Sequence, residues 1–219
     1  SVDISIDDVI HLLHSVSHGA LATHSERVAG YPYASVLPFV LDEQQSPVFL
    51  ISSLAEHTKN LLRNPRASLV VFDESQANLL SGARISLIGD GLPFDAHKRF
   101  VARYVRYQAD GERYLEMGDF AFFRFETKQV RAIAGFGAMG WIEPERLSRM
   151  ASLSLEEEEE ALRQVPRSSS GDFQLLGVDP YGADLVRAGV RERHKFDGAP
   201  LKGESLRRAL ELFSLSISR

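Results

Sequence analysis

The residues best placed to do chemistry lie between Val48 and Pro65. An apolar run ending at Ile51 passes into Ser52 and Ser53, and Glu56, His57, Thr58, Lys59 and Asn60 follow at once. The pattern predicts a buried strand that runs into a short helix stopped by Pro65. Ser53 is the expected N-cap, with Glu56 three residues on completing a capping box. Unpaired N–H groups and the positive end of the dipole favour an anion at a helix start, so phosphate is the natural ligand class. Lys59 would add a full charge, and Ser52, Ser53 and Thr58 would add hydroxyls. An ordinary capped helix with its lysine in water fits the same residues, and the spacing alone leaves both readings open.

Other clusters carry less. His11, His14 and His18 are spaced i, i+3 and i+7, so they would share one face of a first helix and could serve a metal or a haem iron. No acidic residue at matching spacing completes a metal set, so no metal site is predicted; the face reads equally as the polar side of an amphipathic helix. His194 falls in a charged strand, Arg191 to Lys195, expected to face solvent. Arg84 opens an apolar strand after a turn at Ser81-Gly82, where a guanidinium could grip a phosphate in bidentate fashion or simply reach water. No nucleophile elbow, zinc helix or phosphate loop is present. Gly135-Phe136-Gly137 is expected to be a sharp turn.

The elements that would position these residues begin with a helix from Ser5, its apolar positions being Val9, Leu12, Leu13 and Val16, ended by Gly19. Strands are predicted at Ala20–His24, Tyr33–Leu41, Val48–Ser52, Ala67–Phe72, Arg84–Gly91, Phe120–Phe125 and Val130–Gly135. A helix is predicted from Pro93 to Tyr107. With so few helices a regular βαβ alternation is excluded, and a mostly antiparallel barrel with helices outside is expected. The barrel is assigned to residues 1–142. Residues 143–172 are polar, including Glu156–Glu160, and read as a solvated helix or a linker. Residues 173–219 are expected to form a small α/β domain of three strands and a final helix, leaning on the barrel or on a partner chain.

The composition is that of a globular protein: 219 residues, 44% hydrophobic, 25% charged, net charge −5. The acidic balance argues against a nucleic-acid surface. No apolar run approaches the ~20 residues of a membrane span, and a cytoplasmic location is the default expectation. Zero cysteines exclude thiolate chemistry, so any redox function needs a bound cofactor.

Several segments resemble the FMN-binding split-barrel superfamily, which includes pyridoxamine 5′-phosphate oxidase. They are Pro32–Phe39, Leu50–Ser53, His57–Leu61 with Asn64-Pro65, Ala83–Gly89 and Gly135–Ile142. The nearest branch in pattern is the haem-utilisation proteins of HugZ type. The resemblance implies a mainly β (α+β) fold, a six-stranded Greek-key barrel that forms a homodimer with FMN in a groove at the interface. It would lay Ala34, Ser35, Val36 and Leu37 along the flavin ring. Ser52, Ser53, His57, Thr58, Lys59 and Asn60 would surround the phosphate, Arg84 would stand close to the flavin, and Trp141 would approach from the partner.

Departures accompany these matches. The oxidase pattern has a basic pair before the phosphate helix and an Arg opening the flavin strand, where this chain has Glu56-His57 and Ala34-Ser35. The stretch Val178–Leu185 resembles a small domain of the haem-utilisation branch, which in haem-degrading members precedes the barrel instead of following it. The resemblance therefore implies a flavin-dependent oxidoreductase of a small or haem-like substrate, with no catalytic residue assigned. Haem binding or degradation, and a cofactor-free dimeric binding module, are the alternatives.

Overall fold

The computed structural model describes residues 5–72, 82–134, 139–165 and 173–217. The turns expected at Gly135-Phe136-Gly137 and at Ser81 lie outside these residues. The chain divides into two compact units, residues 1–149 and 150–219.

In the first unit, α1 (Ile6–Ser15) starts where Ser5 accepts a hydrogen bond from the Asp7 N–H. It buries Val9, Ile10, Leu12 and Leu13, and also His11 and His14. The expected three-histidine face is not formed. The chain turns extended at Val16, and His18 opens β1 (His18–His24). Gly19 belongs to that strand and does not end the helix. A Cβ there would meet Leu69 Cδ1 at 2.8 Å and the Val70 carbonyl oxygen at 2.9 Å, so only glycine lets the strands approach.

Then follow β2 (Pro32–Pro38), β3 (Val40–Leu41), β4 (Pro47–Ser52), α2 (Glu56–Arg63), β5 (Arg66–Phe72) and β6 (Ala83–Pro93). They are succeeded by α3 (Lys98–Tyr107), α4 (Gly111–Glu116), β7 (Phe120–Ala134), β8 (Met139–Ile142) and α5 (Pro144–Ser148). The strands form one antiparallel sheet in the order β2-β1-β5-β6-β7-β4-β3, with β8 also paired to β7. Only Phe39 separates β2 from β3, so the sheet path starts and ends in the same stretch of chain and must curl round. Among the described residues the sheet has eight hydrogen-bonded strands where six were expected, because the 32–41 segment breaks at Phe39 and β8 is added.

Alternation decides what fills the curl. Leu21, Leu69, Leu87 and Phe125 point inward and are at most 1% exposed. Phe100 of α3 packs edge-on to Phe122 at 5.9 Å, and Tyr104 packs on the same ring at 5.2 Å. The Tyr104 hydroxyl accepts from the Leu50 N–H, so its polar end is satisfied in the core.

Two expectations about this unit need correction. Pro93 ends β6, and the helix begins only at Lys98, where the His97 ring accepts from the Phe100 N–H. The two strands expected at 120–135 are one strand, β7. Its polar stretch Thr127–Gln129 looks like a turn in sequence, yet a bulge between Ile88 and Gly89 absorbs the irregularity and pairing continues.

The second unit contains α6 (Leu155–Gln164), β9 (Phe173–Asp179), β10 (Gly182–Arg187), β11 (Val190–Lys195) and α7 (Gly203–Ile217). The glutamate run is a helix, α6, opened by a true capping box between Ser154 and Glu157. Leu185, Phe196, Leu206, Leu210 and Phe213 form the centre of its core. A buried Arg193 bridges Asp179 and Asp184 at 2.8 and 2.7 Å. His194 lays its ring on Phe213, with centroids 4.3 Å apart, so it is not the purely solvent-facing residue expected.

Candidate functional site

The start of α2 is not capped as expected. The helix begins at Glu56, and its N-cap is Ala55, with no side-chain hydrogen bond. Ser53 instead donates its backbone N–H to the Asp119 carbonyl oxygen at 2.8 Å. The Ser52 hydroxyl donates to the Asp119 carboxylate at 2.5 Å and accepts from the Leu54 N–H. Asp119, whose approach from α4 to β7 is invisible in local sequence, thus takes over both serines.

The other helix-start residues divide in two. Lys59 pairs with Glu56 at 3.2 Å, both half-exposed. Asn60 is 1% exposed; its amide donates to Thr23 Oγ1 and accepts from the Glu26 N–H, which ties α2 to β1. His57 and Thr58 remain. His57 Nε2 and Thr58 Oγ1 are buried without a hydrogen-bond partner among the described residues. His57 Nδ1 lies 3.3 Å from Ser35 Oγ, and burial pushes its imidazole below the ordinary value, toward the neutral form.

Orphaned buried polar atoms are costly, so this corner is built to receive a polar group. Its charges are Glu56 and Asp119 against Lys59, with His57 neutral. That set suits an uncharged polar group better than a phosphate dianion.

The remaining expected residues lie on β2 and β6. Strand alternation turns Ser35 and Leu37 to the same side as His57, and Ala34 and Val36 to the open outer face of the sheet. β2 ends the sheet path, so its outer backbone edge has no strand partner among the described residues. Arg84, opposite Phe72 and Ile133, belongs to the outer face. One row crosses that face as Val36–Ala20–Val70–Ser86–Arg131–Trp141. Val36 is 66% and Trp141 58% exposed, and the Arg131 guanidinium sits 5.5 Å from the Trp141 ring centre. The expected residues therefore form two groups on opposite sides of β2.

The outer face holds a groove of about 510 Å³ that sequence reasoning missed. Small outward residues, Ala34, Ala22 and Ser68, hollow it in one line across β2, β1 and β5, and Ile88 of β6 ends that line. Pro32 closes one side, and His24, Arg66, Asp90 and Lys128 stand on the rim. Lys128 approaches Asp90 at 3.6 Å and Glu126 at 3.8 Å. The available signal was the run Ala20–His24, whose outward positions carry alanines and then an imidazole.

Comparison with known proteins agrees with this architecture. The family model "CREG, beta-barrel" matches residues 10–148, nearly all of the first unit. The chain belongs to this CREG β-barrel family. The non-canonical haem oxygenase HOZ, chloroplastic, of Arabidopsis thaliana is 34% identical over 132 residues, 59% of this chain and 40% of that protein. The haem oxygenase HutZ of Vibrio cholerae is 32% identical over 121 residues, 49% of this chain and 65% of that protein. The chain thus spans less than two thirds of the length of these curated relatives.

Among solved structures, a protein of unknown function from Agrobacterium tumefaciens superposes with a TM-score of 0.72 at 22% identity, covering 96% of both chains. A haem-binding protein from Mycobacterium smegmatis gives 0.62 at 23% identity, covering 100% of this chain and 99% of that one. At such identity these two show the fold alone. The resemblance to haem-utilisation proteins read from the sequence is borne out by the family match and the two named haem oxygenases. No helix among the described residues is long and apolar enough to cross a membrane.

Proposed function

We propose that this member of the CREG β-barrel family binds haem on the open face of its sheet. One observation carries the reading: two proteins named haem oxygenases are more than 30% identical to this chain, over 132 and 121 residues. The groove residues fit such a ligand chemically. Ala22 and Ile88 offer an apolar floor to a flat macrocycle with Pro32 at its side, and the rim offers cations and an imidazole. Bound haem would supply the iron and the oxidisable ring for an oxidoreductase reaction. The chain's own part is to cover one face of the ring and hold its charged edge.

The exposed Val36 and Trp141 at the two ends of the outer row suit a second copy of the chain, which would close the groove as a homodimer. Titration of the purified protein with hemin tests the central reading. The expected result is a Soret shift saturating at one haem per chain. Featureless, non-saturating absorbance would dismiss it.

A flavin is the second reading, supported by the orphaned His57 Nε2 and Thr58 Oγ1 beside the free edge of β2. These atoms would hold a ribityl hydroxyl of FMN, while the β2 backbone meets the ring. Fluorescence quenching on FMN addition distinguishes this reading from haem binding.

A further inference from the structure

The chain has seven histidines, and six are engaged through at least one ring contact, hydrogen bond or burial in the protein's own architecture. His11 and His14 are buried on α1, and His14 Nε2 lies 2.8 Å from Gln45 Oε1. His18 Nδ1 is 3.0 Å from the Ser17 hydroxyl. His57 faces Ser35, His97 caps α3, and His194 stacks on Phe213. His24 differs. It is exposed at the end of β1 and has no polar partner among the described residues. Its strand position puts the ring on the same face as Ala22, at the rim of the groove.

The cations of that rim are only partly engaged. Arg66 is steadied by Nε to Asn64 Oδ1 at 3.1 Å, and no partner for its terminal nitrogens is found among the described residues. Lys128 touches two carboxylates, Asp90 and Glu126, at distances too long for good hydrogen bonds. A stronger, closer acceptor would therefore draw it away at little cost. An apolar floor, one uncommitted imidazole and two adaptable cations match a flat ring with an imidazole-binding metal centre and carboxylates on one edge. The groove volume falls within the range of about 300–1,000 Å³ usual for small-molecule sites.

Resting on the haem reading, we propose that His24 is the iron ligand and that Arg66 and Lys128 hold the carboxylates of the porphyrin. This assigns ligand and charge roles to residues of β1, β5 and β7. His24 ligation fixes the centre of the ring, and the two cations fix its rotation.

The test uses the full chain and three probes: hemin, hemin dimethyl ester and free imidazole. Wild-type protein is titrated first; a wild-type protein that takes up no hemin sinks the haem reading itself. With wild-type binding in hand, His24→Ala is expected to lose the imidazole-ligated Soret and visible bands, and millimolar imidazole is expected to restore them. His18→Ala should leave those bands unchanged. Arg66→Ala and Lys128→Ala should each weaken hemin by about tenfold, as expected for a charge-assisted hydrogen bond, and leave the neutral ester little affected. Circular dichroism establishes that each variant is folded, and imidazole rescue reports on the ligand even where affinity changes. Unaltered bands in folded His24→Ala, or equal losses for hemin and its ester in the charge variants, would overturn this assignment while leaving haem binding intact.

Discussion

Asn60 of α2 donates its side-chain amide to Thr23 Oγ1 on β1 at 2.9 Å, and both residues are buried. The same side chain accepts the Glu26 N–H at 2.8 Å. One amide thus fastens the helix start to the hairpin that carries His24. Asn60→Ala strands the Glu26 N–H and removes the Thr23 partner. The expected cost is about 2–4 kcal/mol, read from the urea midpoint at constant m-value.

Gly89 makes a second check on the sheet. A Cβ there would lie 2.1 Å from the Glu126 carbonyl oxygen, a backbone atom that cannot swing aside. Gly89→Ala should therefore destabilise the protein by roughly 1–3 kcal/mol through forced strand separation at the bulge. Thermal unfolding of the variant would show the loss, whereas an unchanged midpoint would mean the bulge accommodates a methyl group.

The buried Arg193 supports a larger effect in the second unit. Its side chain is 1% exposed, and it faces carboxylates of Asp179 and Asp184 that are 8% and 0% exposed. Desolvation is the largest single influence on the Arg193 pKa and lowers it, but the charges and hydrogen bonds of Asp184 and Asp179 together outweigh it and raise the pKa above the ordinary arginine value. Arg193→Met removes the counter-ion from both carboxylates and should cost about 3–5 kcal/mol, measured in chemical denaturation of the full chain.

Acid should weaken the fold partly through His57. Desolvation holds its folded pKa below the ordinary 6.5, so the unfolded chain takes up the proton first. The unfolded state then binds more protons as pH falls through 6.5, and stability drops there; above that pH the contribution is constant. His194 shifts in the same direction for the same leading cause and adds to the slope. His57→Gln should lose less stability than wild type between pH 7 and 5. Parallel stability curves for the two proteins would show that His57 is not the sensor.

A flavin at the start of α2 would feel Asp119. With Glu56 and Asp119 beside it, a phosphate gains little there, and FMN is expected to bind less than about tenfold more tightly than riboflavin. Asp119→Asn should widen that ratio. A large FMN preference already present in the wild type would show that the acidic pair does not govern the corner.

The sequence carried the curled sheet well. Alternation in Ala20–His24 and Ala67–Phe72 and the apolar run at Val48–Ser52 identify strands because one face of each is buried in the curl. The resemblance pointed to a barrel with haem-utilisation relatives, in agreement with the family match and the two named haem oxygenases. Ser53 misled, because a capping box is a local pattern and Asp119, far along the chain, competes for both serines. His18 misled for a related reason: helical spacing assumes the helix continues, whereas Gly19 is required by strand packing against Leu69. The groove was illegible because its rim assembles His24, Arg66, Asp90 and Lys128 from four strands. Only the register of pairing reveals that neighbourhood.

The way the sheet closes on itself also sets a timetable for biosynthesis. Leu50 of β4 pairs with Phe122 of β7, and no described residue between them replaces that partner. At a translation rate of about 5–20 residues per second, the apolar Pro47–Ser52 ribbon waits several seconds on the ribosome with one edge uncovered. A nascent chain halted after α4 would keep both rims of an unfinished curl open to other chains. Truncation there should yield aggregate in place of a smaller soluble barrel.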